Sequence, residues 1–133
     1  MKLTWFGGTT LRLHVGGRVI VFNAEGAPEW VDRTELVSGA DRVVRLDEAF
    51  AAVDGRRWQP RRVAALIEES GAPEVLLHRL GEGAVLVEAV GEPPLVIATG
   101  VVPEVGRWGA EAVVVVAGPQ PEMTAVEVIE AMA

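Results

Sequence analysis

The chain has 133 residues, 50% hydrophobic and 23% charged, which is the size and composition of one globular domain spanning residues 1–133. It contains no cysteine, which excludes disulfides, thiolate metal sites and cysteine nucleophiles. Its net charge of −7 repels phosphate backbones at long range, so we expect no nucleic-acid partner.

The N-terminal part of the chain has a strand pattern. Residues 2–6 alternate in polarity, and residues 10–15 and 18–23 flank Gly16 and Gly17, which supply the positive φ angles of a tight turn. The sequence therefore predicts one strand followed by a β-hairpin. Because residues 1–6 lack the long apolar core of a signal peptide, we expect a cytoplasmic protein. After the hairpin we expect a loop at 24–35, short strands near 36–37 and 42–46, and a brief helix near 47–53.

Helix signals flank several apolar strands in the second half. Pro60 suits the first position of a helix and Gly71 its C-terminal stop, which predicts a helix over 60–70. The apolar, β-branched run 112–117 is typical of a central strand covered on both faces, and it is too short to cross a membrane. Thr124 and Glu127 form a capping box that predicts a final helix. The remaining strands are expected at 74–80, 84–90 and 95–99.

Two stretches, read together, are similar to a known family. Residues 1–22 read MKLTWFGGTTLRLHVGGRVIVF; the stretch 84–133 holds a hairpin, Thr99-Gly100-Val101-Val102-Pro103-Glu104, a valine strand, Gly118-Pro119 and Met123-Thr124 before the last helix. In this order they resemble the metallo-β-lactamase superfamily, and within it the lactonase-like branch that contains ascorbate-6-phosphate lactonase. The resemblance implies an α/β fold, a shortened metallo-β-lactamase-like sandwich of mixed β-sheet with flanking helices.

The resemblance also implies a metal centre, but the residues that would form it are absent. The family supplies its ligands from a His-x-His-x-Asp-His motif, an aspartate after the later hairpin and separate histidines. Here residues 36–43 read LVSGADRV, and no Gly-Asp pair lies between Ala98 and Thr99. Gly8 replaces an early histidine, and Asn23-Ala24 replaces Asp-Pro. We therefore expect no metal, no cofactor and no catalytic residues.

The two histidines of the chain have ordinary structural interpretations. His14 lies beside Arg12 on the polar face of a predicted strand, and we expect it to be exposed. His78 ends an apolar strand and is interpreted as a boundary residue. Two histidines alone would also need further partners to hold zinc.

An arginine cluster is the strongest candidate site. The segment GRRWQPRR places Arg56, Arg57, Arg61 and Arg62 around Trp58, where the Pro60 helix is predicted to begin. Cations at a helix N-terminus cost about 0.3–1 kcal/mol each, and a bound anion would offset that repulsion. Trp58 would offer a stacking surface. The alternative is that the arginines pair with nearby carboxylates, namely Asp47, Glu48, Asp54, Glu68 or Glu69.

These observations favour a non-catalytic, metal-free relative of the family that acts as a binding or assembly module. A chain without the family's closing segments must repack its exposed surface or bury it in another subunit, so we expect a homo-oligomer, most simply a dimer. One alternative is an enzyme with relocated, hydrolase-like chemistry on a small phosphorylated or carboxylated compound. That enzyme requires the arginines to converge with an acid or base such as Asp41 or Glu48. A regulatory domain that binds a small anion needs no such group.

Overall fold

A computed structural model of the chain describes residues 1–60, 75–100, 103–118 and Val126. These residues form nine strands in two sheets, one short helix, α1 (Arg33–Val37), and two 3₁₀ turns, Ala24–Gly26 and Arg107–Glu111. The strands are β1 (Lys2–Gly7), β2 (Thr10–Val15), β3 (Arg18–Phe22), β4 (Arg42–Val44), β5 (Ala51–Ala52), β6 (Val75–Arg79), β7 (Ala84–Ala89), β8 (Leu95–Ala98) and β9 (Val113–Val116).

The first sheet has the order β1-β2-β3-β4, and the predicted hairpin forms its centre. Strands β1, β2 and β3 pair antiparallel, while β4 runs parallel to β3. Gly16 and Gly17 have φ angles of 58° and 74°, as the tight turn between β2 and β3 requires. The strand prediction for the start of the chain is therefore confirmed.

The second sheet has the order β5-β6-β7-β8-β9. Strands β6, β7 and β8 form an antiparallel meander, and the two outer strands pair parallel to their neighbours. Every residue of β7 and β8 is buried, because both faces of this sheet are covered. The predicted strands 74–80, 84–90 and 95–99 are confirmed to within one residue at either end.

The core lies between the two sheets. Leu11, Leu13 and Phe22 from the first sheet pack against side chains of the second, among them Val87 and Ile97, and all five are nearly inaccessible to solvent. Burial of a large aliphatic or aromatic side chain contributes roughly 1.5–3 kcal/mol, so this interface stabilises the fold strongly. The contact between the two sheets makes the described residues a β-sandwich.

A second apolar cluster covers the opposite face of the second sheet. Leu86 and Val96 project from β7 and β8 onto that face, where Trp108 buries them. Trp58 and Val105 are partly buried against the same cluster. The loops at 53–58 and 103–112 thus form a third layer, and this layer carries the candidate site.

The expectation of an α/β sandwich with flanking helices is wrong. The described residues are mostly β, with two mixed sheets, and their helical structure amounts to α1, the two 3₁₀ turns and Val126. The predicted helix after Pro60 and most of the predicted final helix lie outside the described residues. Val126, which lies within the predicted final helix, is helical and exposed. Within the described part of the chain, no helix has the length and apolar character needed to cross a membrane.

Three local predictions are also corrected. Residues 36–37 belong to α1 and not to a strand, because the Asp32 side chain caps the helix by accepting hydrogen bonds from the amides of Thr34 and Glu35. Residues 47–53 form no helix. Ala51–Ala52 pairs with β6 as strand β5, and the guanidinium of Arg79 at the end of β6 donates a hydrogen bond to the carbonyl oxygen of Glu48. Among the described strands, the valine strand β9 lies at the edge of its sheet and not at the centre, and Val113 is 41% exposed.

Candidate functional site

The structure brings part of the predicted arginine site into a surface cleft with a volume of about 690 Å³. We call it the arginine–tryptophan cleft. Arg61 and Arg62 lie outside the described residues, so their part in the site stays a prediction. The described residues that line the cleft are Arg56, Arg57, Trp58, Gln59, Pro60, Arg107, Trp108 and Glu111.

The cleft forms where two glycine-containing loops lie back to back. The carbonyl oxygen of Gly55 accepts hydrogen bonds from the amide of Gly106 at 2.8 Å and from Nε1 of Trp108 at 2.7 Å. A Cβ on Gly55 would overlap the Glu104 carbonyl, and one on Gly106 would overlap the Arg56 carbonyl. Only glycine permits this approach, so the sequence fixes the two loops against each other.

Two tryptophans form the floor of the cleft. Trp108 is 6% exposed and packs on the second sheet. The Trp58 ring meets it edge to face, with centroids 4.9 Å apart and an interplanar angle of 78°. Such aromatic pairs add about 0.5–1.5 kcal/mol beyond their buried area, so the floor is held in one arrangement.

The charges at the cleft are unevenly paired. Arg56 contacts Glu104 at 2.8 Å and Arg57 contacts Asp54 at 3.8 Å, and both pairs are exposed. Arg107 makes no ion pair with any described residue. Three arginines and Glu111 give the described lining residues a formal charge of +2, while Glu104 and Asp54, which pair with two of these arginines, add −2 beside it.

Both described arginines of the predicted cluster, Arg56 and Arg57, pair with a carboxylate, as the alternative of simple carboxylate pairing expects. Asp54 does pair with Arg57, as that alternative expects, whereas Asp47 pairs with Arg45 at 3.1 Å. Exposed ion pairs contribute only about 0–1 kcal/mol, so an incoming anion could displace either carboxylate at little cost. Among the described lining residues, Arg107 is the arginine without an ion pair.

Neither Asp41 nor Glu48, the two carboxylates considered as the acid or base of an enzyme, lies at this cleft. Asp41 pairs with Arg18 and accepts a hydrogen bond from the amide of Val19 on the first sheet. Glu48 accepts from the amide of Arg45. Neither lines the arginine–tryptophan cleft.

The two histidines lie in different settings. His14 is exposed, as expected, and Nε of Arg12 donates to its Nε2 at 3.4 Å. His78 Nε2 lies 3.3 Å from Oε1 of Glu88, with side-chain exposures of 14% and 5%. The His78 ring centroid is 6.2 Å from that of Trp58, so this partly buried pair lies near the arginine–tryptophan cleft. No group of three or more histidine, cysteine, aspartate or glutamate side chains in the described part of the chain is placed to hold a metal ion.

A second cleft, of about 370 Å³, opens beyond the ends of strands from both sheets. We call it the inter-sheet cleft. Asn23, which stands where the resembled family has Asp-Pro, and Thr99, before which its Gly-Asp pair is missing, both line it. The other described lining residues are Thr9, Glu25, Gly26, Arg45, Leu46, Asp47, Arg79 and Glu82.

Sequence reasoning missed Arg107 in the first cleft and Arg79 in the second. A signal for Arg107 existed, because Gly106-Arg107-Trp108 repeats the order glycine, arginine, tryptophan found from Gly55 to Trp58. The two loops that meet in space thus have matching composition. Arg79 follows His78 at the end of β6 and has no comparable signal.

Comparison with known proteins found no matching family model, no matching curated protein and no matching solved structure. The assignment of function therefore depends on the geometry of the two clefts.

Proposed function

We propose that the protein is a non-catalytic, metal-free binding module that takes a small phosphate-bearing anion in the arginine–tryptophan cleft. The observation that carries this proposal is Arg107, a cation without an ion-pair partner among the described residues, placed beside Arg56 and Arg57 on two interlocked loops. Guanidinium groups suit phosphate because their planar N–H donors match its oxygens.

The charge distribution supports a small ligand over a polymeric one. The lining contains three arginines and one carboxylate, whereas the chain as a whole carries −7. A small anion interacts mainly with the local arginines, while an extended polyanion also meets the repulsive field of the rest of the surface. The proposal therefore names a phosphate-bearing small molecule and not a nucleic acid.

The loop geometry supports binding without catalysis. The two loops are fixed by glycine contacts and by the shared Gly55 carbonyl, so the backbone that carries the arginines is already ordered before a ligand arrives. An enzyme acting at this place would need a positioned proton donor or acceptor. Asp41 and Glu48 are engaged elsewhere. Glu111 is the carboxylate among the described lining residues, and no described side chain holds it in a fixed position.

We also infer remote common ancestry with the metallo-β-lactamase superfamily, without its α/β layering. This inference rests on the order of the motifs in residues 1–22 and 84–133. For the compartment we propose the cytoplasm, which the lack of cysteine supports.

Direct titration tests the binding proposal. Isothermal titration calorimetry with pyrophosphate should show saturable binding to the parent protein and at least tenfold weaker binding to Arg107→Gln. The matched control is Arg18→Gln, which removes an exposed arginine from the first sheet. Absence of binding, or an unchanged dissociation constant in Arg107→Gln, would falsify the proposal.

Assembly is a second candidate function, which the β9 edge supports. Strand β9 is four valines long, carries no charge, and has β8 on one side only among the described strands. Unprotected edges of this kind favour pairing with another chain. A two-fold dimer in which β9 pairs with its copy would continue the second sheet across both subunits.

A further inference from the structure

Arg79 lines the inter-sheet cleft as a half-buried cation. Its Nη2 donates hydrogen bonds to the carbonyl oxygens of Leu46 and of Glu48, the latter at 2.6 Å, and its Nη1 donates to that of Ala84 at 3.2 Å. The guanidinium carbon also lies 5.6 Å from the Phe50 ring centroid. These partners are neutral, and no described carboxylate pairs with Arg79.

Hydrogen-bond donors remain free in this cleft. The guanidinium has five N–H groups, and three of them serve the carbonyls. The hydroxyl of Thr9 accepts a hydrogen bond from Nδ2 of Asn23 at 2.8 Å, and no described group accepts its own proton. Asn23 is itself fixed, because its Oδ1 accepts from the amide of Leu46 at 2.8 Å. The interior of the cleft thus offers a positive charge and ordered donors, which a carboxylate would satisfy.

The rim of the cleft has the opposite charge. Asp47 is paired with Arg45, but Glu25 and Glu82 are exposed and make no ion pair with a described residue. The inter-sheet cleft therefore has Arg79, without an ion pair among the described residues, in its interior, and Glu25 and Glu82, likewise without one, at its rim. Those carboxylates repel a phosphate dianion and attract an ammonium group.

We propose that the inter-sheet cleft binds a small zwitterion, a molecule of the amino-acid class that carries both a carboxylate and an ammonium group. The carboxylate contacts Arg79 and the hydroxyl of Thr9, and the ammonium group lies towards Glu25 and Glu82. A volume of about 370 Å³ is at the small end of the range for ligand pockets, as a free amino acid requires. This site is separate from the arginine–tryptophan cleft.

Calorimetric titration with the twenty free amino acids tests this proposal. At least one should bind, and its N-acetyl derivative, which lacks the ammonium group, should bind at least tenfold more weakly. Its methyl ester, which lacks the carboxylate, should lose binding to the same extent. If no amino acid binds, or if either derivative binds as well as its parent, the proposal is overturned.

Variants identify the site. The double variant Glu25→Gln with Glu82→Gln should weaken amino-acid binding at least tenfold and leave the N-acetyl derivative unaffected. Its matched control is Glu29→Gln with Glu35→Gln, which removes two exposed carboxylates from outside the cleft.

Arg79→Gln should abolish binding, and the exposed rim variants test the site even if that variant does not fold. Arg107→Gln should bind the amino acid as the parent does, which separates this result from the anion site. Unchanged binding in the rim double variant contradicts the assignment.

Discussion

Nε1 of Trp108 donates a hydrogen bond to the carbonyl oxygen of Gly55 at 2.7 Å, across more than fifty positions of sequence. The same carbonyl accepts from the amide of Gly106. One oxygen therefore joins the two loops that present the arginines, and the shape of the arginine–tryptophan cleft depends on that junction.

The first prediction concerns the glycine of the second loop. Gly106→Ala should lower the free energy of unfolding by about 1–3 kcal/mol, because the new Cβ would overlap the Arg56 carbonyl. Gly26→Ala is the control, since a Cβ there meets no atom within 4 Å. Urea denaturation measures both, and equal stability of the two variants would show that the loops are not tightly packed.

The second prediction concerns Arg79. Arg79→Met keeps much of the side-chain volume but removes the donors to the carbonyls of Leu46 and Glu48, so unfolding free energy should fall by about 1.5–3 kcal/mol. Arg18→Met should change it by about 0.5 kcal/mol or less, because Arg18 is exposed and its contact with Asp41 is 3.7 Å long. Denaturant titration of the two variants side by side checks the difference, and a similar small effect in both would refute it.

Local sequence signals predicted the parts of the fold that depend on neighbouring residues. The hairpin turn needs only Gly16 and Gly17, and both have the expected conformation. The error at 47–53 has a distant cause, because Arg79 from another strand binds the carbonyls of Leu46 and Glu48. Periodicity cannot reveal such a partner.

The position of a strand within its sheet could not be predicted from the sequence either. A run of valines predicts a strand, and β9 forms, but the run does not tell an edge from a centre. For the same reason the fold class was wrong: the strands were found, whereas their division into two sheets depends on pairings between distant segments. Of the candidate site, the sequence predicted only the loop that carries Arg56 and Arg57. The loop that carries Arg107 reaches the cleft through the hydrogen bond between Trp108 and Gly55, which the sequence does not reveal.

The third prediction is that the protein purifies without stoichiometric zinc, iron or manganese. The reason is the absence of the family's histidine motif, its aspartate after the later hairpin and any cysteine. Elemental analysis of protein expressed in metal-supplemented medium should give far less than one transition metal per chain. A value of about one tightly held ion would contradict it.

The fourth prediction is a homodimer formed through β9. Light scattering after size exclusion should give about twice the monomer mass, and Val113→Lys should shift it to the monomer, because a lysine on an edge strand opposes pairing. The control is Val43→Lys, at a valine that is 52% exposed on the edge strand of the other sheet. A parent protein that stays monomeric at high micromolar concentration would exclude the dimer.

The fifth prediction tests the part of the anion site that lies outside the described residues. If Arg61 and Arg62 contribute to the anion site with Arg107, phosphate should stabilise the protein more than chloride does at matched ionic strength. An anion at a hundred times its dissociation constant stabilises the folded state by about 2.7 kcal/mol.

Sulfate and phosphate also stabilise most proteins without binding, because they are excluded from protein surfaces. The double variant Arg61→Ala with Arg62→Ala separates the two effects, since it should lose the specific part of the stabilisation and keep the general part. Thermal denaturation in phosphate and in chloride, for the parent, this double variant and Arg107→Gln, gives the comparison. If both variants respond to phosphate as the parent does, the arginines are solvated or paired with carboxylates, and the cleft does not bind the anion.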